Sequence, residues 1–581
     1  MAVSNAHATR AERVLNRLHA WRAVRAKPAT AFTSQPEPRT VGSFARGRQL
    51  MAGNFLFAGS LVEAAGTSIW DIEAPDYSFL EELHGFGWLD DLAAVPDPAT
   101  RERAQAWTWD WIARFGRGRG PGWVPDLAGR RLIRWINHAL FLLRNQPSEA
   151  SKVYFLSLGQ QTIFLARRWQ AARPGLPRFE ALTGLIYAGL ALRGMEGHVG
   201  AAQKALEREA ADQIDAQGGL PTRNPEELLE VFTLLSWAAA ALEEAEIAVG
   251  REHLAAIQRI APTLRTLRHA DGSLARFHGG GRGPEGRLDQ ALAASGISHA
   301  RPEGLSMGYA RLSAGRTSVI VDASAPPKGR ASLNAHASTL AFELTSGRRA
   351  LVVNCGSGES FGAEWRSAGR ATPSHSTLVL DATSSAKLAT RRAPELEDGP
   401  KQVPMEMSHT PEGVQFEGGH DGYLRATGLT HARRLELSFD GRDLSGQDML
   451  LCLEEADRKR FDKLMDARGL QGVPFAMRFH LHPEVEAQLD MGGSAVSLIL
   501  KSGEIWVFRH DGAQELTLET SVFLEKDRIT PRASKQIVLS GRALEYATRI
   551  RWSFAKAQDT PVSVRDLNRE GEDPALLSHL T

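Results

Sequence analysis

What the sequence lacks removes several functional classes. It has only two cysteines, Cys355 and Cys452, too few for the disulfide framework of a small exported domain. Each stands in an apolar run (LVVNCG, MLLCLE) and reads as an inert buried thiol. No stretch reaches the roughly 18 consecutive apolar residues of a membrane span. The amino-terminal segment lacks the continuous apolar core of a secretory signal, because arginines interrupt it every few residues. The expected location is therefore the cytoplasm. Neither charge dominates: Lys+Arg 69 stand against Asp+Glu 68, a net charge of +1. A dedicated nucleic-acid binder would carry a basic excess, so none is expected as a partner. Phosphate-loop, His-Glu-x-x-His, Cys-x-x-Cys and Gly-x-Ser-x-Gly motifs are missing too, which lowers nucleotide-driven, zinc-protease, redox and serine-hydrolase chemistry.

What is present suits a large folded chain. With 581 residues, 43% of them hydrophobic, there is material for two to four domains at roughly 100–200 residues each. Residues 1–44 form a basic segment, with arginines at 10, 13, 17, 22, 25 and 39 against Glu12 and Glu37. An amphipathic basic helix there can touch an anionic membrane surface or an acidic partner, but more often packs one face on the body. Over 45–300 the pattern is helical. Windows 101–115, 129–144, 149–172, 177–194, 198–216, 225–247 and 251–268 carry apolar residues at three- and four-residue spacing. Short Gly/Pro breaks separate them, which makes antiparallel helical hairpins. Residues 281–304 read as a linker with one short helix. From 305 to 560 the period becomes two, in short runs parted by SGR, SGE and DGR turns, the pattern of an antiparallel β-sandwich. Residues 383–403 read as a polar loop and 561–581 as a tail.

Eight of the 13 tryptophans fall in the first 135 residues. Indole faces suit sugar rings, and they also fill helix contacts. Trp88 (GFGWLD) and Trp123 (GPGWVPD) stand beside glycines and are the better candidates for a substrate cleft.

An ordered series of segments carries a resemblance: GFGWLDDLAAV, GGLPTRNPEELLEV, DGSLARFHGGG, GYARLSAGRTSVIVDASAPP, NAHASTLAFELTSGRRALVVNCG, PSHSTLVLD, HDGYLRATGLTHARRLEL and FAMRFHLHP. Together they resemble the bacterial heparinase II/III-like family over most of residues 45–555. The resemblance implies an incomplete (α/α) toroid followed by stacked antiparallel sheets. It also implies eliminative cleavage of an acidic, uronate-containing polysaccharide or oligosaccharide, and a periplasmic or envelope location as the alternative to the cytoplasm.

β-Elimination removes the proton on C5, alpha to a carboxylate, so a site needs a neutraliser, a base and an acid for the leaving oxygen. In the family the neutraliser follows the glycine pair, which here offers Arg223 and Asn224. Asn224-Pro225-Glu226-Glu227 also reads as the capped start of a helix. The loop holding Arg223 and Asn224 should then face the loop holding Asn334 and His336. The family's tyrosine base would fall near LARFHGGG, where this sequence has His278; the next tyrosine, Tyr309, opens a strand. A glycine-flanked imidazole titrating near neutrality favours His278 as base, and Tyr309 is expected to be structural. The family's His-Ala-His-Ala-Asp reads Asn334-Ala-His336-Ala-Ser338 here, so the first histidine is replaced. The metal positions of the family correspond to His336, Asn354 and His375, and Asn is a poor zinc ligand. No cofactor is expected, with zinc on His336 and His375 as the one open possibility. Arg366, His420, Tyr423, His431, His480 and His482 are read as structural. The expectation is thus a polysaccharide lyase. The alternative is a non-catalytic glycan-binding or envelope polysaccharide-assembly protein on the same fold, and a scaffold engaged through the basic segment comes third.

Overall fold

The structure, a computed structural model, describes residues 10–25, 29–34, 39–297, 304–388, 395–526 and 528–557. The reading of 561–581 as a tail lies outside them. The chain forms two compact units. One comprises residues 1–220, 227–261 and 289–299; the other comprises 221–226, 262–288 and 300–581.

The first unit is the helical toroid. Its hairpins use Pro98–Phe115, Pro125–Asn137, Ser148–Arg168, Leu176–Ala191 and Val199–Gln213, close to the windows set by periodicity. Local chemistry starts them: Asp97 accepts the Ala99 N–H at 2.9 Å, and Pro98 takes the first helical position. Helices Pro125–Asn137 and Leu176–Ala191 cross through glycines; a Cβ on Gly184 would come 2.5 Å from the Gly129 Cα. Short helices Phe44–Met51, Tyr77–Gly85 and Trp88–Ala93 escaped the periodicity, because each is shorter than the window that reveals a helix.

Trp88 and Trp123 belong to the core of this unit, which corrects their reading as cleft residues. Trp88 is 2% exposed and Trp123 3%. Their indole N–H groups donate to the Leu83 and Phe115 carbonyls at 2.9 and 2.8 Å. Phe86 and Trp107 cover one ring, and Trp111 and Phe164 cover the other. Neither offers a face to a sugar.

The second unit carries two eight-stranded antiparallel sheets. Their inner faces pack through Phe342 and Phe479 from one sheet and Phe508, Trp552 and Phe554 from the other. Helices Ala363–Arg370 and Glu455–Ala467 interrupt the strands. The stretch read as a polar loop contains a small pair of strands, Lys387–Leu388 with Leu396–Glu397. Segments 221–226 and 262–288 join this unit because buried polar side chains tie them to its strands. His269 Nε2, for example, meets Glu343 Oε2 at 2.9 Å.

Candidate functional site

The polar cluster of the second unit grows from one carboxylate. Strand Thr317–Asp322 is buried along its whole length and ends in Asp322, itself 0% exposed. A buried charge needs a partner, and Arg223 supplies it, with Nη2 at 2.5 Å from Asp322 Oδ1. Ser338 Oγ donates to Oδ2 at 2.7 Å, and His278 Nε2 stands 3.4 Å from the same oxygen. Burial pushes the Asp322 carboxyl upward, but Arg223, His278 and Ser338 outweigh it and hold the group well below the usual carboxylate range.

Arg223 sits at φ +52° in the left-handed region. Besides Asp322, its guanidinium donates to the carbonyls of Met307, Ser324, Ala325 and Gly308 at 2.9–3.3 Å. A guanidinium has five N–H groups, and all five are committed. Arg223 is therefore a buried clamp, which corrects its reading as the group that neutralises a substrate carboxylate. Tyr309, 0% exposed, lies under it with the guanidinium 4.7 Å from the ring centre. The Tyr309 hydroxyl donates to the Arg223 carbonyl at 2.5 Å, and burial raises its pKa well above 10. Its placement is structural.

His278 also corrects its reading as an exposed base. It is 1% exposed, at φ +47°, and Nδ1 accepts the His336 backbone N–H at 3.1 Å. That bond places the ring proton on Nε2, facing Asp322, and occupies the lone pair a base would need. Burial lowers its pKa despite the neighbouring carboxylate. The flanking glycines serve close packing instead of motion. A Cβ on Gly279 would stand 3.0 Å from Asn334 Cβ, and one on Gly280 would stand 2.5 Å from Asn224 Oδ1.

The Arg223–Asn224, His278–Gly280 and Asn334–His336 segments thus converge. Asn224 is half-buried and accepts the Glu226 N–H at 3.0 Å, capping helix Pro225–Glu244. Glu226 turns elsewhere, to Lys526 Nζ at 2.8 Å and the Gly281 N–H at 2.9 Å. Asn334 is exposed, its Oδ1 accepting from Arg366 Nη2 at 2.7 Å. Arg370 pins the same loop through the Ala335 and Ser332 carbonyls.

His336 and His375 form a relay of fixed tautomers. His375 Nδ1 lies 2.9 Å from the Ala371 carbonyl, which can only accept, so Nδ1 carries the proton. His375 Nε2 then accepts from His336 Nδ1 at 3.0 Å. His336 Nε2 is left as a bare lone pair with no hydrogen-bond partner, on a side chain 3% exposed. Burial lowers both rings, His375 to about 4 and His336 well below 6.5.

A second buried network lies between the sheets. His420 donates to His431 and His431 to Asp448, at 3.2 and 2.7 Å. Arg433 and Trp552 add two further bonds to Asp448 at 2.8 Å each. Arg433 also reaches the Ser376 carbonyl at 3.1 Å, one residue from His375. His480 is held between Ser521 Oγ and the Pro373 carbonyl, and Tyr423 donates to the Leu378 carbonyl.

Two comparisons decide the family. Residues 297–553 match Heparinase II/III-like, C-terminal. FtsZ-localized protein C of Caulobacter vibrioides is 33% identical over 550 residues, covering 90% of this chain and 89% of that protein. The chain belongs to the heparinase II/III-like family. Among solved structures, heparinase III superposes with a TM-score of 0.69 at 13% identity, over 94% of this chain and 89% of that one. A heparan sulfate lyase HepC mutant from Pedobacter heparinus gives 0.57 at 14%, over 95% and 89%. Both share the toroid-and-sandwich fold.

The donor set at the positions that the resemblance assigns to zinc does not suit that ion. His336 Nδ1 and His375 Nε2 are bonded to each other. Asn354 Oδ1, at the third position, is a neutral oxygen that already accepts the Ser376 N–H at 3.0 Å. Among the described residues no three His, Cys, Asp or Glu side chains are grouped to hold a metal. Dialysed protein is expected to carry well under one zinc per chain by elemental analysis, and a chelator to leave its melting temperature unmoved. Stoichiometric zinc would show that a carboxylate moves in.

Asp322 and Arg370 escaped the sequence reading. The one available signal for Asp322 was an acid directly after the apolar run Val319-Ile320-Val321.

Proposed function

We propose that this heparinase-like chain binds an acidic glycan without cleaving it by elimination, and that it works beside FtsZ. The observation that carries the first part is how the reactive groups are used. The Arg223 guanidinium, the Tyr309 hydroxyl and the His278 lone pair are each committed to a structural hydrogen bond. Asn334, at the first histidine position of the motif that the resemblance implies, cannot transfer a proton at neutral pH. What faces solvent suits recognition: the exposed Asn334 amide, oriented by Arg366 beside the glycine loop. The second part rests on the relative's name and on an identity that runs through both units.

One observation favours a second reading, eliminative cleavage with His336 as base: its Nε2 lone pair is unoccupied. Elimination leaves an unsaturated uronate that absorbs in the ultraviolet, so the two readings separate in one assay. Wild-type protein incubated with a panel of uronate-containing glycans is expected to bind without generating that absorbance, and to co-sediment with FtsZ polymers. Turnover that disappears in His336→Ala would reverse the first part. Absence from the polymer pellet would overturn the second.

A further inference from the structure

Helix Arg10–Ala23 is packed the wrong way round for an ordinary surface helix. Its buried residues are Asn16, Ala20 and Ala23, small or polar. Its large apolar residues face solvent: Val14 is 64% exposed, Leu18 38% and Trp21 49%. The inner face is firmly seated in its own unit. Asn16 Oδ1 accepts from Arg168 Nε at 2.8 Å, and a Cβ on Gly118 would come 2.9 Å from the Ala20 carbonyl carbon. Burial of apolar surface normally drives such a helix to turn its leucines inward. Here the inner side is filled, so the outer stripe is left for something else.

The charges around the stripe define its partner. At about 100° per residue, Val14, Leu18 and Trp21 fall within one narrow sector. Arg10 and Arg17 border it on one side and Arg22 on the other, all exposed. Arg25 lies over the Trp21 ring with its guanidinium carbon 3.7 Å from the ring centre. The single acid of the helix, Glu12, falls on the far side of the wheel. An apolar strip with a tryptophan, edged by arginines and free of acids, is the make-up of a helix that lies in a bilayer interface. No helix among the described residues is long and apolar enough to cross a membrane, so the contact is with the surface alone.

We propose that helix Arg10–Ala23 is an interfacial helix that sets Val14, Leu18 and Trp21 into the surface of an anionic phospholipid bilayer, with Arg10, Arg17 and Arg22 at the headgroups. The test floats the full chain with vesicles of mixed phosphatidylglycerol and phosphatidylcholine, and with vesicles of phosphatidylcholine alone. Wild-type protein is expected to partition onto the anionic vesicles about tenfold or more better than onto neutral ones, and to be released by salt. Leu18→Ser/Trp21→Ser and Arg17→Glu/Arg22→Glu should each lose about tenfold or more of that binding. Because all four side chains are exposed, the melting temperature should stay put. Failure of the wild type to float, or full binding by either double variant, overturns the proposal. So does loss of FtsZ co-sedimentation in the serine variant without any vesicle binding by the wild type, which would assign the face to a protein.

Discussion

Asp448→Ala is expected to lower the unfolding free energy by about 3–5 kcal/mol, the usual cost of leaving a buried charge without its partner. Urea denaturation followed by tryptophan fluorescence measures it. Asp448 and Arg433 are direct partners on adjacent strands, 0% and 1% exposed. The carboxylate takes three donors: Arg433 Nε, His431 Nε2 and Trp552 Nε1. Without it, Arg433 keeps only the Leu340 and Ser376 carbonyls, and two ring N–H groups are orphaned. The same step would loosen the loop carrying His375, because Ser376 holds that loop to the sandwich through Arg433. Asp448→Leu combined with Arg433→Met removes both charges and should cost less than Asp448→Ala alone. A loss under about 1 kcal/mol for Asp448→Ala would mean that water replaces the carboxylate, and that the network does not join the sheets.

The architecture was legible because two periods, 3.6 and 2, each run over many residues, and Gly/Pro breaks part them. That Asn224 would cap a helix was legible as well, since Asn-Pro-Glu-Glu is local chemistry. The fate of the side chains around it was not. His278 beside three glycines reads as a mobile rim loop, yet those glycines let the backbone pass against Asn224 and Asn334. Trp88 and Trp123 carried the same false signal; a Cβ on Gly122 would stand 2.8 Å from the His84 ring. Glycine in the His278 loop and before Trp123 marks close approach. Asp322 was hidden for a different reason: an acid before Ala-Ser-Ala-Pro-Pro looks like a turn residue. Only its neighbours, Arg223 from 99 positions earlier and Ser338, reveal the clamp. Long-range partners decide which polar groups are left for chemistry, and a single sequence does not print them.

Stability should fall steeply in mild acid, by at least about 2–3 kcal/mol per pH unit below pH 6, the slope for roughly two protons taken up on unfolding. Histidines buried as neutral rings are the cause. His84 accepts the Trp111 N–H at 3.0 Å beside the Arg131 guanidinium; burial, then that charge, depress it to about 3. His480, buried between Ser521 and the Pro373 carbonyl, is also depressed to about 3. Burial depresses His253, His420, His431 and His482 as well. In the unfolded chain each regains an ordinary value near 6.5. As pH falls through 6.5 the unfolded state therefore binds protons that the folded state refuses. The stability these groups contribute is fully present above about pH 6.5 and is lost toward their folded values, near pH 3 for His84 and His480. Asp448, held at about 2 by Arg433 and His431 against its burial, adds a second loss only between about pH 4 and 2. Melting temperature measured from pH 8 to pH 4.5 should accordingly be level at first and bend downward near pH 6.5. A curve that stays flat to pH 5 would mean that these rings reach water or are protonated in the folded chain, and the fixed tautomers of the buried networks would then be wrong.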